Sequence, residues 1–376
     1  MNFGLTEEQE LLRQEVRKFL DEQCPIAEVR RIMETPEGYS PELWKQLAEL
    51  GWLGLIIPDR YGGAGGDWID LVVVLEETGR TLFPSPLIST TLAASAILEA
   101  GSDAQKERWL PGLADGSRIG TLAILEEVDS LAPSGVQLRG EPDGDGYLLR
   151  GDKRFVADAG AADLFVVAFR TGDGEDDLGL AVVDGDAPGV SLPTAPPTID
   201  ASKRVGDLVL EGVRIGPDSL LGEPGAAGPA LARLLDCGAV AVTAEMIGSA
   251  DGAHAITVQY AKDRIQFGHP IGHFQGVKHP LAEDYVHIES FKSLLYYAAW
   301  AIEASPAELS LAASRAKAYA AQAFTQVGID GIQLHGAVGY TLEFDIQLYL
   351  KRSKWARPAF GDAEYHLDRV ATLGGY

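Results

Sequence analysis

Residues 260–275 read Tyr-Ala-Lys-Asp-Arg-Ile-Gln-Phe-Gly-His-Pro-Ile-Gly-His-Phe-Gln and set an arginine, an amide and an aromatic ring (Arg264, Gln266 and Phe267) within four positions. A helical pattern runs into Arg264, breaks at Gly268 and Pro270, and resumes near Phe274, so these side chains are expected at a helix C-terminus, poised to meet a ligand. A guanidinium forks onto phosphate oxygens while an aromatic ring packs on an apolar face, which suits a phosphate-bearing ligand with a flat ring. An arginine near a helix end also complements the helix dipole, and the chemistry of these residues alone leaves both readings open.

Composition narrows the field. The chain has 376 residues, 46% of them hydrophobic, enough for a large core and for two or three domains. A net charge of −24 argues against nucleic acid and against an anionic membrane surface as partners. Ligand phosphates must then be held by a few local cations against a repulsive background. Apolar runs fall short of the ~18 residues of a spanning helix, and Met1-Asn2-Phe3-Gly4 opens straight into a helical pattern without a signal peptide. Only Cys24 and Cys237 are present, far apart, which excludes a metal-ligand spacing or a disulfide framework. A bacterial-type cytoplasmic protein is expected.

The elements that must position Arg264 and its neighbours fall into three stretches. Residues 1–118 read as helical. Thr6-Glu7-Glu8-Gln9 resembles a capping box, with Leu12, Val16, Phe19 and Leu20 following at helical spacing. Ser40-Pro41-Glu42 opens another helix, and the glycine-rich run 61–66 is a tight connection before a helix containing Leu71 to Thr78. Residues 119–225 switch to short apolar or alternating runs, Ile119–Leu125, Tyr147–Val156, Leu164–Phe169, Leu178–Val183 and Leu208–Ile215, separated by Asp-Gly turns and prolines. Their succession without intervening helices predicts an antiparallel β-barrel or sandwich, with a loop over Pro193–Val205. Residues 226–376 return to helical periodicity, with four helices at about 229–264, 274–303, 306–334 and 342–354, the third with Ser305 as N-cap, forming a four-helix bundle.

Taken in order, the motifs resemble those of acyl-CoA dehydrogenases. Residues 264–275 match that family's Arg-x-Gln-Phe-Gly-x-Pro-Ile-x-x-Phe-Gln signature. Gly54-Leu55-Ile56-Ile57-Pro58-Asp59-Arg60-Tyr61-Gly62-Gly63, Glu76-Glu77-Thr78-Gly79-Arg80, Asp143-Gly144-Asp145-Gly146-Tyr147, Ala162-Asp163-Leu164 and Gln333-Leu334-His335-Gly336-Ala337-Val338-Gly339-Tyr340 extend the match along essentially the whole chain. The resemblance implies a helical, β-barrel, helix-bundle architecture, FAD as cofactor, an acyl-CoA substrate and an electron-transfer flavoprotein as acceptor. It further implies that Arg264, Gln266 and Phe267, with Gln333, His335, Gly336 and Gly339, reach across a subunit interface to the pyrophosphate and adenosine of FAD.

Several positions depart from the family pattern. Its carboxylate base, usually a Glu near the C-terminus, falls on Phe360 ahead of Gly361-Asp362, and the alternative position on the first helix of the bundle falls on Gly238. The flavin-edge run Ala-Leu-Thr-Glu-Pro is Ala123-Ile124-Leu125-Glu126-Glu127, with Leu131 at the serine position. The Trp-Ile-Thr run that packs on the ring is Phe155-Val156-Ala157, so Phe155 and Val156 become the expected ring contacts. Buried flavin polar atoms facing Leu and Ala would lose about 1–3 kcal/mol each unless backbone groups replace the hydroxyls. Glu245, two helical turns beyond Gly238 and flanked by Val242, Ala244, Met246 and Ile247, is the leading candidate base, since burial raises a carboxyl toward the range useful for proton abstraction. Its alternative is an ion pair with an arginine or a cap on a polar patch, and Asp236, Asp362 and Glu364 are further candidates.

These features imply a subunit of a hetero-oligomeric acyl-CoA dehydrogenase acting on a bulky or ring-bearing thioester of fatty acid or steroid degradation. The alternatives are a homotetrameric dehydrogenase, a non-catalytic partner that completes the FAD site of a homologous chain, and a flavin oxygenase or oxidase on the same fold.

Overall fold

The computed structural model describes residues 4–193 and 197–376. Met1, Asn2 and Phe3 of the expected helical start, and residues 194–196 of the expected loop, lie outside the described residues. In chain order the helices and strands are α1 (Glu7–Gln23), α2 (Ile26–Met33), α3 (Pro41–Glu49), α4 (Trp68–Arg80), α5 (Leu87–Ala100), α6 (Asp103–Ala114), β1 (Gly120–Ala123), β2 (Gly140–Asp143), β3 (Gly146–Ala157), β4 (Leu164–Arg170), β5 (Leu178–Asp184), β6 (Val190–Ser191), β7 (Val205–Ile215) and β8 (Leu220–Leu221). There follow α7 (Gly228–Asp263), β9 (Ile265–Gln266), β10 (His269–Pro270), α8 (Gln275–Ala304), α9 (Pro306–His335), α10 (Ile346–Ala356) and α11 (Ala363–Gly374).

The chain forms two compact units, each gathered from separate stretches. One comprises the chain to Met33, Trp68–Phe83 and Ala239–Tyr376; the other comprises Glu34–Asp67 and Pro84–Gly238.

In the second unit the strands make two four-stranded sheets, ordered β1-β4-β5-β8 and β2-β3-β7-β6. Their facing apolar residues, among them Leu149, Phe165, Val167, Phe169, Ala181, Leu208 and Leu210, share one core, so the arrangement is a sandwich of open sheets. A closed, all-antiparallel barrel is not formed. Pairing of β1 with β4 is parallel, Gly120 opposite Leu164, whereas β4 and β5 are antiparallel. Parallel pairing needs a long crossover, and here the chain between β1 and β4 runs through the β2–β3 hairpin of the other sheet. β4 is buried along almost its whole length because one face meets the core and the other is covered by α5, which explains its continuous apolar sequence.

The helical unit packs α1 on α4, α4 on α8, α8 on α9, and α9 on both α10 and α11. The capping box forms as expected: Thr6 Oγ1 accepts from the Gln9 amide at 3.2 Å, and Gln9 Oε1 accepts from the Thr6 amide at 3.1 Å. Ser40 likewise caps α3 by accepting from Leu43 N at 3.3 Å. Ser305 does not cap α9, since its hydroxyl donates to Glu308 Oε1 at 3.2 Å instead. α11 is a further helix beyond the four expected, begun by Asp362, whose Oδ1 accepts from Tyr365 N at 2.8 Å. Helices α4 and α7 approach through glycine: a Cβ on Gly79 would fall 2.1 Å from the Glu245 carbonyl oxygen, and one on Gly248 would fall 1.7 Å from that of Glu76. Among the described residues no helix is long and apolar enough to cross a membrane.

Candidate functional site

At the end of α7 the chain leaves the helix after Asp263 and turns through the β9–β10 hairpin, with Gln266 paired to His269. Arg264, Gln266 and Phe267 are all exposed there, Phe267 by 90%. Phe267 lies in the left-handed region with φ 52° and stands edge-on to Phe274 at 6.1 Å. The second expected motif ends α9. Tyr260 stacks on His335 with ring centroids 4.3 Å apart and donates its hydroxyl to the His335 carbonyl at 3.3 Å, which brings the two motifs to one end of the helical unit. Gln333 and Gly336 are exposed, and Gly336 takes φ 65° where α9 stops. His335 and Gly339 are buried. His335 donates from Nδ1 to Gly331 O at 2.7 Å, and burial lowers its pKa against the pull of that bond. Ile265, Val338, Tyr340, Leu342 and Phe344 add exposed apolar surface to this end of the unit.

Phe155 and Val156 belong to the sandwich unit. The β3–β7 register slips between Lys153 and Val156, a bulge that puts Phe155 at φ 52° with its ring 59% exposed while Val156 is buried. The segment is anchored on both sides. Lys153, fully buried, donates to Glu126 Oε1 at 2.6 Å and to Ile124 O at 3.1 Å. The same Glu126 oxygen accepts from Gln137 N and Leu138 N, each at 3.0 Å. Burial lowers Lys153 to about 8 even though Glu126 opposes the change. Beyond the bulge, Thr121 donates to Ala157 O at 2.7 Å and Ser89 donates to the Asp158 carboxylate. Leu125 and Leu131 are half-buried and bring no hydroxyl.

Of the candidate carboxylates, Glu245 is buried on α7 with Oε2 3.6 Å from Nη1 of Arg352, which is itself buried on α10. From Glu245 to the end of α7 at Asp263 the chain climbs about 27 Å of helix, so this carboxylate and the Arg264 hairpin of the same chain are far apart. Asp236 is buried on α7, Asp362 is the N-cap of α11, and Glu364 makes an exposed ion pair with Arg357 at 3.4 Å. Among the described residues no group of three or more His, Cys, Asp or Glu side chains could hold a metal ion.

Three family models cover most of the chain: the acyl-CoA dehydrogenase N-terminal domain over 6–117, the middle domain over 129–213 and the C-terminal domain over 229–373. The chain is 33% identical over 368 residues to the acyl-CoA dehydrogenase IpdE2 of Mycolicibacterium smegmatis, covering 97% of this chain and 98% of that one. The chain belongs to the acyl-CoA dehydrogenase family. Solved relatives include a variant of the Tcur3481–Tcur3483 steroid ACAD, with TM-score 0.88 and 34% identity over 98% of each chain. The ChsE4–ChsE5 complex from Mycobacterium tuberculosis matches with TM-score 0.90 and 27% identity over 100% of this chain and 99% of that one. Members of this family are oxidoreductases acting on a CH–CH bond, and so is this chain.

As a family member the chain shows one feature that its sequence did not announce. Among the described residues, six other than glycine have positive φ: Leu82, Asp129, Phe155, Asp158, Phe267 and Phe360. All but Leu82 lie in, or next to, the segments that the resemblance assigns to flavin or base. Left-handed backbone in a side-chain-bearing residue costs about 1–3 kcal/mol and persists where its surroundings over-determine it, which is characteristic of ligand-binding segments. Glu126, Lys153 and the Ser89–Asp158 link anchor the segment around Phe155, and the sequence did not single them out. Lys153 stands on β3 and Glu126 in the segment that follows β1, 27 positions apart, and only the fold brings them together.

Proposed function

We propose that this chain is one subunit of a FAD-dependent acyl-CoA dehydrogenase that works with a homologous chain on a bulky or ring-bearing acyl-CoA thioester. Its domains are taken as 1–118, 119–225 and 226–376, which the three matched family segments support. The observation that carries the reading is a division of equipment. The end of the helical unit presents Arg264, Gln266, Phe267 and Gln333 to the outside, while the flavin-edge and base positions of the same chain hold Leu125, Leu131, Ala157 and Phe360. The ~27 Å between Glu245 and that end is consistent with a hairpin that serves a flavin seated on another subunit.

The residues present fit FAD in two places. Arg264 would take the pyrophosphate through its fork of donors, Gln266 and Gln333 would supply amide hydrogen bonds, and Phe267 would cover an apolar face. The exposed ring of Phe155 over buried Val156 would lie against the flavin, and backbone N–H groups of residues 123–131 would replace the missing hydroxyls. Bound flavin supplies the acceptor for the β-hydride. The protein must remove the α-proton with a desolvated carboxylate and polarise the thioester oxygen, because the α-carbon is a poor acid. With Phe360 at the usual base position, the base comes from the homologous chain, and the Arg357–Gly361 turn of this chain borders an acyl site. An electron-transfer flavoprotein as final acceptor and a cytoplasmic setting complete the reading. A steroid ACAD and a two-component complex among the solved relatives support the bulky acyl group and the second chain.

The test is expression alone and together with a homologous chain. Alone, the chain is expected to be pale; with its partner it gains flavin absorbance and turns over an acyl-CoA with an artificial electron acceptor. A bright yellow homotetramer active by itself rules the heteromeric reading out. One observation favours a second reading, with Glu245 as base: its burial beside the apolar residues of α7. In that case Glu245→Gln abolishes turnover of the assembled enzyme while flavin stays bound, and undiminished turnover removes Glu245 from the reaction.

A further inference from the structure

The turn Arg357–Gly361 is gripped by two side chains that the reaction outlined above does not use. Lys317, on α9, has no exposed surface, and its Nζ donates to the carbonyls of Arg357 and Gly361 at 2.8 Å each. His366, on α11 and equally buried, donates from Nε2 to the carbonyl of Phe360 at 2.9 Å. Between them the backbone is strained, with φ 55° at Phe360 and 101° at Gly361. A Cβ at Gly361 would fall 2.3 Å from the Tyr365 ring and 2.9 Å from His366 Nε2, so the turn is pressed onto α11. Phe360 itself is half-buried.

The chemistry of the grip needs no charge. Burial pushes Lys317 down to about 7, with Asp362 opposing and Arg357 assisting. Burial, then the neighbouring Lys317, pushes His366 down to about 3, with Arg369 assisting and the Phe360 carbonyl and Asp362 opposing. A neutral amine satisfies both carbonyls with N–H donors, and a neutral imidazole protonated on Nε2 satisfies the third. A lysine with no exposed surface is costly wherever placed, and here its hydrogen bonds go to the carbonyls of the one turn that carries Phe360.

We propose that Lys317 and His366 are positioning residues that lock the strained turn so that Phe360 stands as a wall selecting which acyl groups are accepted. The inference rests on the reading that this turn borders an acyl site. Its test uses the assembled enzyme with its homologous chain and compares kcat and KM for a short straight-chain and a ring-bearing acyl-CoA. Phe360→Ala is expected to change the ratio of the two kcat/KM values by roughly ten-fold, mainly through KM. Lys317→Met is expected to change it in the same direction, and the double variant to go no further than either single one, the signature of residues acting as a unit. Where Lys317→Met does not fold, His366→Leu serves, with His366→Gln restoring the donor and the wild-type ratio. Variants that lose thermal stability but keep the wild-type ratio, or a double variant in which the two effects multiply, overturn the inference alone. An assembled wild type without acyl-CoA turnover overturns the functional reading and this inference with it.

Discussion

Three phenylalanines in left-handed backbone mark this chain at the residue scale: Phe155, Phe267 and Phe360. Nothing in a phenylalanine advertises positive φ, which sequence reasoning associates with Gly, Asn and Asp, so this part of the site was invisible in the sequence. What was legible there were residue types and position: the Arg-x-Gln-Phe run and its exposure at a helix end. Phe267 permits a clean test, because a ring 90% exposed contributes little to folding. Phe267→Ala should leave the melting temperature within about 1 °C while flavin retained through gel filtration of the assembled enzyme falls. Full retention would remove the ring from the cofactor site. The Glu245–Arg352 pair gives the opposite pattern. Both groups are buried 3.6 Å apart, so Glu245→Gln removes one charge of a buried pair and should cost about 3–5 kcal/mol in denaturant unfolding. A loss below about 1 kcal/mol would show that the pair does not hold α7 to α10.

At the scale of elements, periodicity identified the long helices and the main strands because burial on one face writes itself into the sequence. It missed the parallel pairing of β1 and β4, since the partner of a strand is a tertiary choice, and it missed α11, whose start depends on the turn that Lys317 and His366 hold. Helix α4 carries two acidic residues inside the fold. Glu76 and Glu77 are both buried. Glu77 receives the Arg17 guanidinium at 2.7 and 3.0 Å and Arg80 Nε at 2.7 Å, while Glu76 accepts from Arg13 Nη2 at 3.0 Å, which also reaches Tyr296 at 2.8 Å. Burial pushes Glu76 up to about 7, Asp251 adding to the rise while Lys292, Arg13 and Tyr296 oppose it. The folded state therefore keeps a proton that the unfolded chain gives up near the ordinary glutamate value of about 4.3, and stability contributed by this group is lost as pH rises through about 7. The wild-type melting temperature is expected to fall by about 2–4 °C more than that of Glu76→Gln between pH 5 and pH 7.5. Parallel pH profiles for the two proteins would mean that Glu76 is ionised in the folded state throughout.

For the whole molecule, the net charge of −24 and the Arg264 hairpin pull in opposite directions on an anionic cofactor. The background repels the two phosphates of a flavin dinucleotide over distances comparable to the Debye length, about 10 Å at 0.1 M salt, and is screened as salt rises. A guanidinium in direct contact with phosphate acts at hydrogen-bond distance and is screened much less, the more so inside an interface where water is scarce. The assembled enzyme should therefore hold flavin as tightly, or more tightly, when salt is raised from about 0.05 to 0.3 M. Arg264→Ala removes the local term and leaves the repulsion, so flavin binding in that variant should weaken roughly ten-fold at low salt and recover in part as salt is added. Fluorescence titration of the apoprotein with FAD at the two salt concentrations reads both effects. Wild-type binding that falls steeply with salt, with an Arg264→Ala variant indistinguishable from it, would place the phosphates among other, exposed cations and separate the hairpin from the cofactor.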